Sequence, residues 1–277
     1  MSEVNKMIYI CPVCGKALQP SGGSLKCEVG HSFDVARSGY VNLLLSKHMG
    51  KVVHGDNKLM LNARRKFLEK GYYSPLRESL CDEVRTRFSG KVLLDAGCGE
   101  GYYTSAVAET ANWAEVYGCD ISKIAVELAA KRDKRTHYFA GSVFHLPVAG
   151  SSCDMLVTMF APYCGEKFRR VLRPGGIMII AIPSVDHLWE LKKKLYDIPY
   201  KNEVKPYELE GFDFVGSRRI TYKMELRSSE DIMSLFAMTP YYYRTEPARA
   251  ASLESLDGLD ITADFELLTY KITAKND

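Results

Sequence analysis

The sequence predicts an α/β protein: a doubly wound sheet behind a small N-terminal domain held by metal. Three observations carry that prediction. Strand-like and helix-like segments alternate from residue 91 onward, the pattern of a parallel sheet with helices on both faces. The first of those strands runs straight into a glycine-rich turn, DAGCGEG at 95–101, where such folds bind a ligand at the carboxyl ends of their strands. Ahead of both, three cysteines and a histidine stand at C-x2-C and C-x3-H spacing. The expected domains are residues 1–45 and 46–277.

In the N-terminal segment, Cys11, Cys14, Cys27 and His31 supply four soft ligands of the kind that close a tetrahedral zinc site. The intervening QPSGGS has the chemistry of a reversing turn between two ribbon strands. About forty residues bury too little apolar surface to fold unaided, so the metal supplies what the core lacks. Four protein ligands leave no open position, which makes the zinc structural. His48 and His54 lack ligand spacing and read as surface or RNA-facing residues.

Residues 58–88 predict two helices, with Leu61, Phe67 and Leu68 on one and Leu76, Leu80 and Val84 on the other, broken at Gly71 and Pro75. The alternation then begins. KVLLDAG, AEVYGCD, HYFAGS, DMLVTMF and GIMIIAIP read as strands, with helices at TSAVAETA and IAVELAAKR. HLWELKKKLYD reads as a basic amphipathic helix with Lys192, Lys193 and Lys194 on its solvated face. FVGSRRITYKMEL, a helical patch over Asp231 to Ala237 and the alternating FELLTYKIT complete the chain.

Composition narrows the function classes. Among the 277 residues, 46% are hydrophobic and 26% charged, an ordinary globular balance, and the longest apolar run, near Ile177 to Pro183, is too short to cross a bilayer. With no secretory signal pattern, a reducing cytoplasm is the expected location. Clustered cysteines there point to metal rather than disulfides, while Cys81, Cys98, Cys119, Cys153 and Cys164 read as small buried hydrophobes. A net charge of +3 neither demands nor excludes nucleic acid.

The glycine turn speaks to the cofactor. Gly97, Gly99 and Gly101 are spaced G-x-G-x-G, whereas a dinucleotide loop needs a glycine where this chain has Tyr102. Asp95 precedes the turn, and Asp120 ends the second strand, where a carboxylate accepts both hydroxyls of a ribose. With LRPGG at 172–176, these residues predict adenosyl recognition.

The DAGCGEG loop, Asp120 and RPGG resemble class I S-adenosylmethionine-dependent methyltransferases. Together with the ribbon, HSFDVARSGYVNLL, ARRKFLEKGYY, FAPY, IPSVDHLWELK and TPYYYRTEP, they resemble the bacterial 23S ribosomal RNA guanine-N1 methyltransferases along nearly the whole chain. That resemblance implies S-adenosylmethionine as cofactor, structural zinc, 23S rRNA as partner and a homodimer. In the family, two branches modify neighbouring guanines of a domain II hairpin, and one branch is linked to macrolide resistance. The family's cofactor contacts fall on Tyr73, Tyr103, Thr104 and His187, and the class-level contacts on Asp95, Gly97, Gly99 and Asp120.

Two positions depart from the class. Ser142 stands where many members carry an acidic residue against adenine, and FAPY replaces the Asn/Asp-Pro-Pro-aromatic pattern of amino-group enzymes, which suits a ring nitrogen. Tyr163 and Glu166, in the loop after the fourth strand, are the candidate proton acceptors. Lys47, His48, Lys51, Lys58, Arg64, Arg65 and Lys66 could hold phosphates, with Arg218 and Arg219 as a smaller group. Tyr241, Tyr242, Tyr243 and Arg244 offer stacking planes or core packing in equal measure. Two rivals stay open: a small-molecule methyltransferase, which leaves the ribbon without a task, and a non-catalytic RNA-binding module, which leaves the intact loop without one.

Overall fold

A computed structural model describes residues 7–45, 58–204 and 207–273. The N-terminal unit is a three-stranded antiparallel sheet, β1 (Gln19–Ser21), β2 (Ser24–Lys26) and β3 (Ser32–Asp34). Gly22 and Gly23 make the β1–β2 turn at φ of 56° and 83°, left-handed values that explain the paired glycines. β4 (Val41–Asn42) leaves the ribbon and pairs in parallel with β7 (His137–Ala140), so the tail of the small unit forms the edge of the large sheet.

That large sheet has eight strands. Its parallel part is built by β5 (Val92–Ala96), β6 (Glu115–Asp120), β7, β8 (Cys153–Met159) and β9 (Leu172–Pro183). β10 (Phe212–Leu226) and β11 (Leu259–Ile272) are a long antiparallel pair laid against β9. The order β10-β11-β9-β8-β5-β6-β7-β4 reverses direction between β5 and β8. Ligand crevices of open α/β sheets form at the carboxyl ends of the strands flanking such a point.

Helices cover both faces: α1 (Lys58–Glu69), α2 (Ser74–Arg87), α3 (Tyr102–Thr110), α4 (Lys123–Arg132), α5 (Gly165–Val171), α6 (Trp189–Leu195), α7 (Ser229–Ala237) and α8 (Pro247–Glu254). Among the described residues, no helix is long and apolar enough to cross a membrane. The ribbon shares its core with the sheet. Tyr9 sets its ring edge-on to Tyr117 and Phe139 at 5.4 and 5.2 Å, and Leu18 and Leu25 are buried in the same cluster. Backbone bonds from Ile10 to Pro147 and from Ala149 to Ile8, at 3.1 and 2.8 Å, tie the two units further.

Three expectations need correction. Lys192 is fully buried rather than solvated: its ammonium donates to Asn202 Oδ1 at 2.5 Å and Tyr200 O at 3.1 Å and lies over the Tyr200 ring. The helix buries this stem because the segment around 200–202 folds back over it, and Asn202 in turn donates to Ser184 O at 2.7 Å. The RPGG turn belongs to the start of β9, with Leu172 paired to Cys153, so it lies at the amino edge of the sheet, opposite the ligand crevice. Cys81 and Cys164 are only half-buried, whereas Cys98, Cys119 and Cys153 are in the core.

Candidate active site and metal centre

The ligand atoms of Cys11, Cys14, Cys27 and His31 all lie within 4.8 Å of one another. Three of the separations are Cys11 Sγ to His31 Nδ1 at 3.6 Å, Cys27 Sγ to His31 Nδ1 at 3.4 Å and Cys14 Sγ to Cys27 Sγ at 3.7 Å. A tetrahedron with Zn–S bonds of ~2.3 Å has edges of about 3.8 Å, so the four atoms fit one zinc ion with Nδ1 as the histidine ligand. The two ligand pairs meet because the β1–β2 turn brings Cys27 back beside the C-x2-C knuckle.

The second site lies at the carboxyl ends of β5 and β8. Gly97, at φ 95°, approaches the loop after β8 so closely that a Cβ on it would sit 2.2 Å from the Ala161 Cβ. Only glycine permits that contact. Asp120 fixes the turn: Gly99 N–H donates to its Oδ2 at 3.0 Å, and Ser122 N–H donates to its Oδ1 at 2.8 Å. The Gly97 and Cys98 amides both donate to Cys119 O, which locks the turn to β6.

Asp95 is buried at the end of β5. Thr104 Oγ1 donates to its Oδ2 at 2.6 Å, while its Oδ1 is buried without a partner. Burial pushes the Asp95 carboxyl up to about 7, opposed by the Thr104 hydrogen bond and reinforced by the Asp120 charge. The Tyr103 hydroxyl is likewise buried and unpartnered, and burial raises it well above the usual phenol range. Orphaned buried polar atoms of this kind call for a ligand. The site fits an aminoacyl-adenosyl cofactor on that ground: a glycine turn open to backbone approach, with a carboxylate oxygen and a hydroxyl left to bond it.

His187 follows β9 on the same edge and is nearly buried. Its Nδ1 accepts the Asp264 N–H at 3.3 Å, which places the ring proton on Nε2, and burial lowers the imidazole to about 3, so it is neutral at working pH. Phe265, which no motif singles out, gathers the neighbourhood. Its ring centroid is 4.4 Å from that of His187, 4.9 Å from Tyr73 and 5.5 Å from Phe160. Behind it, Asp264 is held by a fork from Arg219, with both N···O distances at 2.8 Å, and by Thr221 at 2.6 Å. Arg219, though exposed, is therefore engaged by Asp264 of its own chain.

Ser142 lies beyond β7, where its hydroxyl accepts Phe144 N–H at 3.2 Å and caps the short turn 143–145. Glu166 opens α5, exposed and paired with Lys167 at 2.8 Å, which holds its carboxyl below the usual range and makes it a poor proton acceptor. Tyr163 is half-exposed, edge-on to Phe168 at 5.7 Å, with its phenol raised by burial. Tyr241 and Tyr242 pack on the core, whereas Tyr243 is exposed. Lys47, His48, Lys51 and His54 lie outside the described residues. Arg64 comes within 4.0 Å of the position a Cβ on Gly99 would take, which sets α1 against the glycine turn.

A zinc-ribbon family model described as "RlmA, N-terminal" matches residues 9–49, and a "Methyltransferase domain" model matches 87–227. The chain is 33% identical to a 23S rRNA (guanine(748)-N(1))-methyltransferase of Streptomyces fradiae, with 92% of this chain and 94% of that protein covered. It is 32% identical to a putative 23S rRNA (guanine-N(1)-)-methyltransferase of Micromonospora griseorubida, covering 94% of this chain and 96% of the relative. The chain belongs to the 23S rRNA (guanine-N1) methyltransferase family. A Bacillus subtilis relative, YxjB, is 30% identical across 96% of this chain and 97% of its own length. The fold is that of a class I S-adenosylmethionine-dependent methyltransferase, and the ribbon that precedes it is part of the family's architecture.

Proposed function

We propose that this protein transfers a methyl group from S-adenosylmethionine to N1 of one guanine in a domain II hairpin of 23S rRNA, in the cytoplasm. The observation that carries the reading is the likeness to a guanine(748)-N1 enzyme over 92% of the chain, together with the matching ribbon at residues 9–49. A small-molecule enzyme would share the crevice but not the ribbon. Asp95, Gly97, Gly99, Tyr103, Thr104 and Asp120 form the cofactor's seat in this reading, with Tyr73, Ser142 and His187 at its margins. Cys11, Cys14, Cys27 and His31 hold zinc, which organises the ribbon as an RNA grip.

S-adenosylmethionine supplies an activated methyl group on a positively charged sulfur. The chain's work is alignment and exclusion of water. Asp95 offers Oδ1 and Tyr103 its hydroxyl to fix the donor, and Asp120 holds the glycine turn in place by accepting the Gly99 N–H. Neutral His187 and the Phe265 ring close the crevice on the β9 side without adding charge. The target N1 lies on the Watson–Crick edge, so the guanine must be unpaired or turned out of its stack to enter.

Primer extension across domain II, after incubating unmodified 23S rRNA with the protein and S-adenosylmethionine, tests the proposal. Methylation at N1 blocks pairing and creates one new stop, whose position identifies the guanine. Absence of any stop and of labelled methyl in the RNA would overturn it. A homodimer belongs to the same reading, and sedimentation at working concentration checks it.

A further inference from the structure

Phe160 opens the FAPY segment and has no part in the zinc site or the cofactor seat described above. It follows β8 at the switch point of the sheet, with a left-handed φ of 59°. A side chain with a Cβ adopts that conformation at a cost, and such strain persists where the surrounding structure holds a residue for a purpose. Here the constraint is visible. The Phe160 N–H reaches Ala181 O on β9 at 3.4 Å, and its neighbour Ala161 is pressed against Gly97.

The strained backbone presents the ring in an unusual way. One side leans on Phe265 at 5.5 Å, the same ring that carries His187 and Tyr73, yet Phe160 remains 43% exposed. Tyr73, Tyr103 and His187 are 4%, 9% and 8% exposed. The buried side chains are thus placed for the cofactor, and Phe160 offers an open aromatic face at the rim between the glycine turn and the Phe265 cluster. A flat ring approaching from solvent is what such a face accepts.

We propose that Phe160 stacks on the ring of the target guanine and so sets the plane in which N1 meets the methyl group. This inference rests on the rRNA reading above. Phe160 touches the substrate base rather than the cofactor, and its contact with Phe265 on one side leaves the other side of the ring to the base.

The test compares full-length, zinc-loaded wild type with Phe160→Leu and Phe160→Tyr. Readouts are labelled-methyl incorporation into 23S rRNA, calorimetric affinity for S-adenosylmethionine and thermal midpoint. Phe160→Leu keeps an apolar side chain but no stacking face. It should lower kcat/KM for RNA by about 10- to 100-fold, as loss of one base–aromatic stack does, with cofactor affinity within about threefold and the midpoint nearly unchanged. Phe160→Tyr should recover most of the lost rate. A Phe160→Leu protein with wild-type kcat/KM overturns the inference, as does a parallel loss of cofactor affinity or a Phe160→Tyr as impaired as Phe160→Leu. If wild type itself methylates no rRNA, the function fails first; an active wild type beside an unaffected variant defeats only the role of Phe160.

Discussion

The ribbon and the crevice hold their shapes by opposite means. In the ribbon, four ligands drawn from residues 11–31 converge on one point, and the strands around them are three residues long. Structural zinc in peptides of this kind contributes an apparent ~10–16 kcal/mol, as much as the whole net stability of an ordinary domain. The crevice draws on residues as distant in sequence as Tyr73 and Phe265, placed by a sheet that needs no metal. Local chemistry makes the first site and topology makes the second. Removing one ligand should therefore unmake the ribbon while leaving the crevice standing, although Tyr9 and β4 physically join them.

The largest expected effect breaks that comparison at its sharpest point. Cys11→Ala should reduce rRNA methylation by more than about 100-fold while cofactor affinity changes by less than about threefold. Hydrogen exchange should rise across residues 8–43 and stay protected in β5 and β6. Methylation at the wild-type rate would show that the ribbon is not the RNA grip. Loss of cofactor binding would show instead that β4 and Tyr9 transmit ribbon unfolding into the sheet.

This division also explains what was legible in the sequence. The zinc ligands could be named because C-x2-C and C-x3-H record a local geometry, and β5 to β9 because alternation records the layers. Gly97 was legible as a glycine of the cofactor turn, but its close approach to Ala161 was not, since nothing local marks a contact across the switch point. Phe265 and Arg219 were missed as organisers for the same reason: a buried ring in an alternating strand looks like core, and an arginine beside another looks like a phosphate contact. Lys192 misled because three consecutive lysines record a helix's composition and not the segment that later folds over it. The RPGG turn, part of the class signature, proved to lie at the opposite edge of the sheet.

An intermediate effect concerns Asp95 and sharpens the account of the crevice. Its carboxyl is raised to about 7, above its value in an unfolded chain, so the folded cofactor-free protein favours the protonated form. The stability this lends is present at low pH and is lost as pH rises through about 7. Asp95→Asn can still accept from Thr104. It should raise the stability of the cofactor-free protein by ~2–4 kcal/mol at pH 8 and change it little at pH 4, as a shift of about three units implies. Cofactor affinity of the wild type should strengthen with pH up to about 7, since a cationic ligand prefers the carboxylate, and that dependence should vanish in Asp95→Asn. Calorimetry at pH 6 and 8 decides it; a wild-type affinity independent of pH would mean that Oδ1 is not the cofactor's partner.

The smallest effect expected is a titration that does not occur. His187 accepts a hydrogen bond from Asp264 N–H at Nδ1, and an imidazolium has no lone pair there with which to accept it. Protonation would have to break that bond and place a charge among Phe265, Tyr73 and the Lys192 ammonium, which is why burial drives its pKa to about 3. The nearby Asp264 carboxylate pulls the other way, but Arg219 and Thr221 already engage it. The carbon-bound ring proton resonances of His187 should therefore stay flat from pH 8 to pH 5 in the cofactor-free protein, and the rate profile should carry no inflection from this residue. An inflection near pH 6.5 that disappears in His187→Gln would mean that the ring turns out of its contact with Asp264, leaving the β9 wall of the crevice mobile where the β5 wall, pinned by Asp120, is rigid.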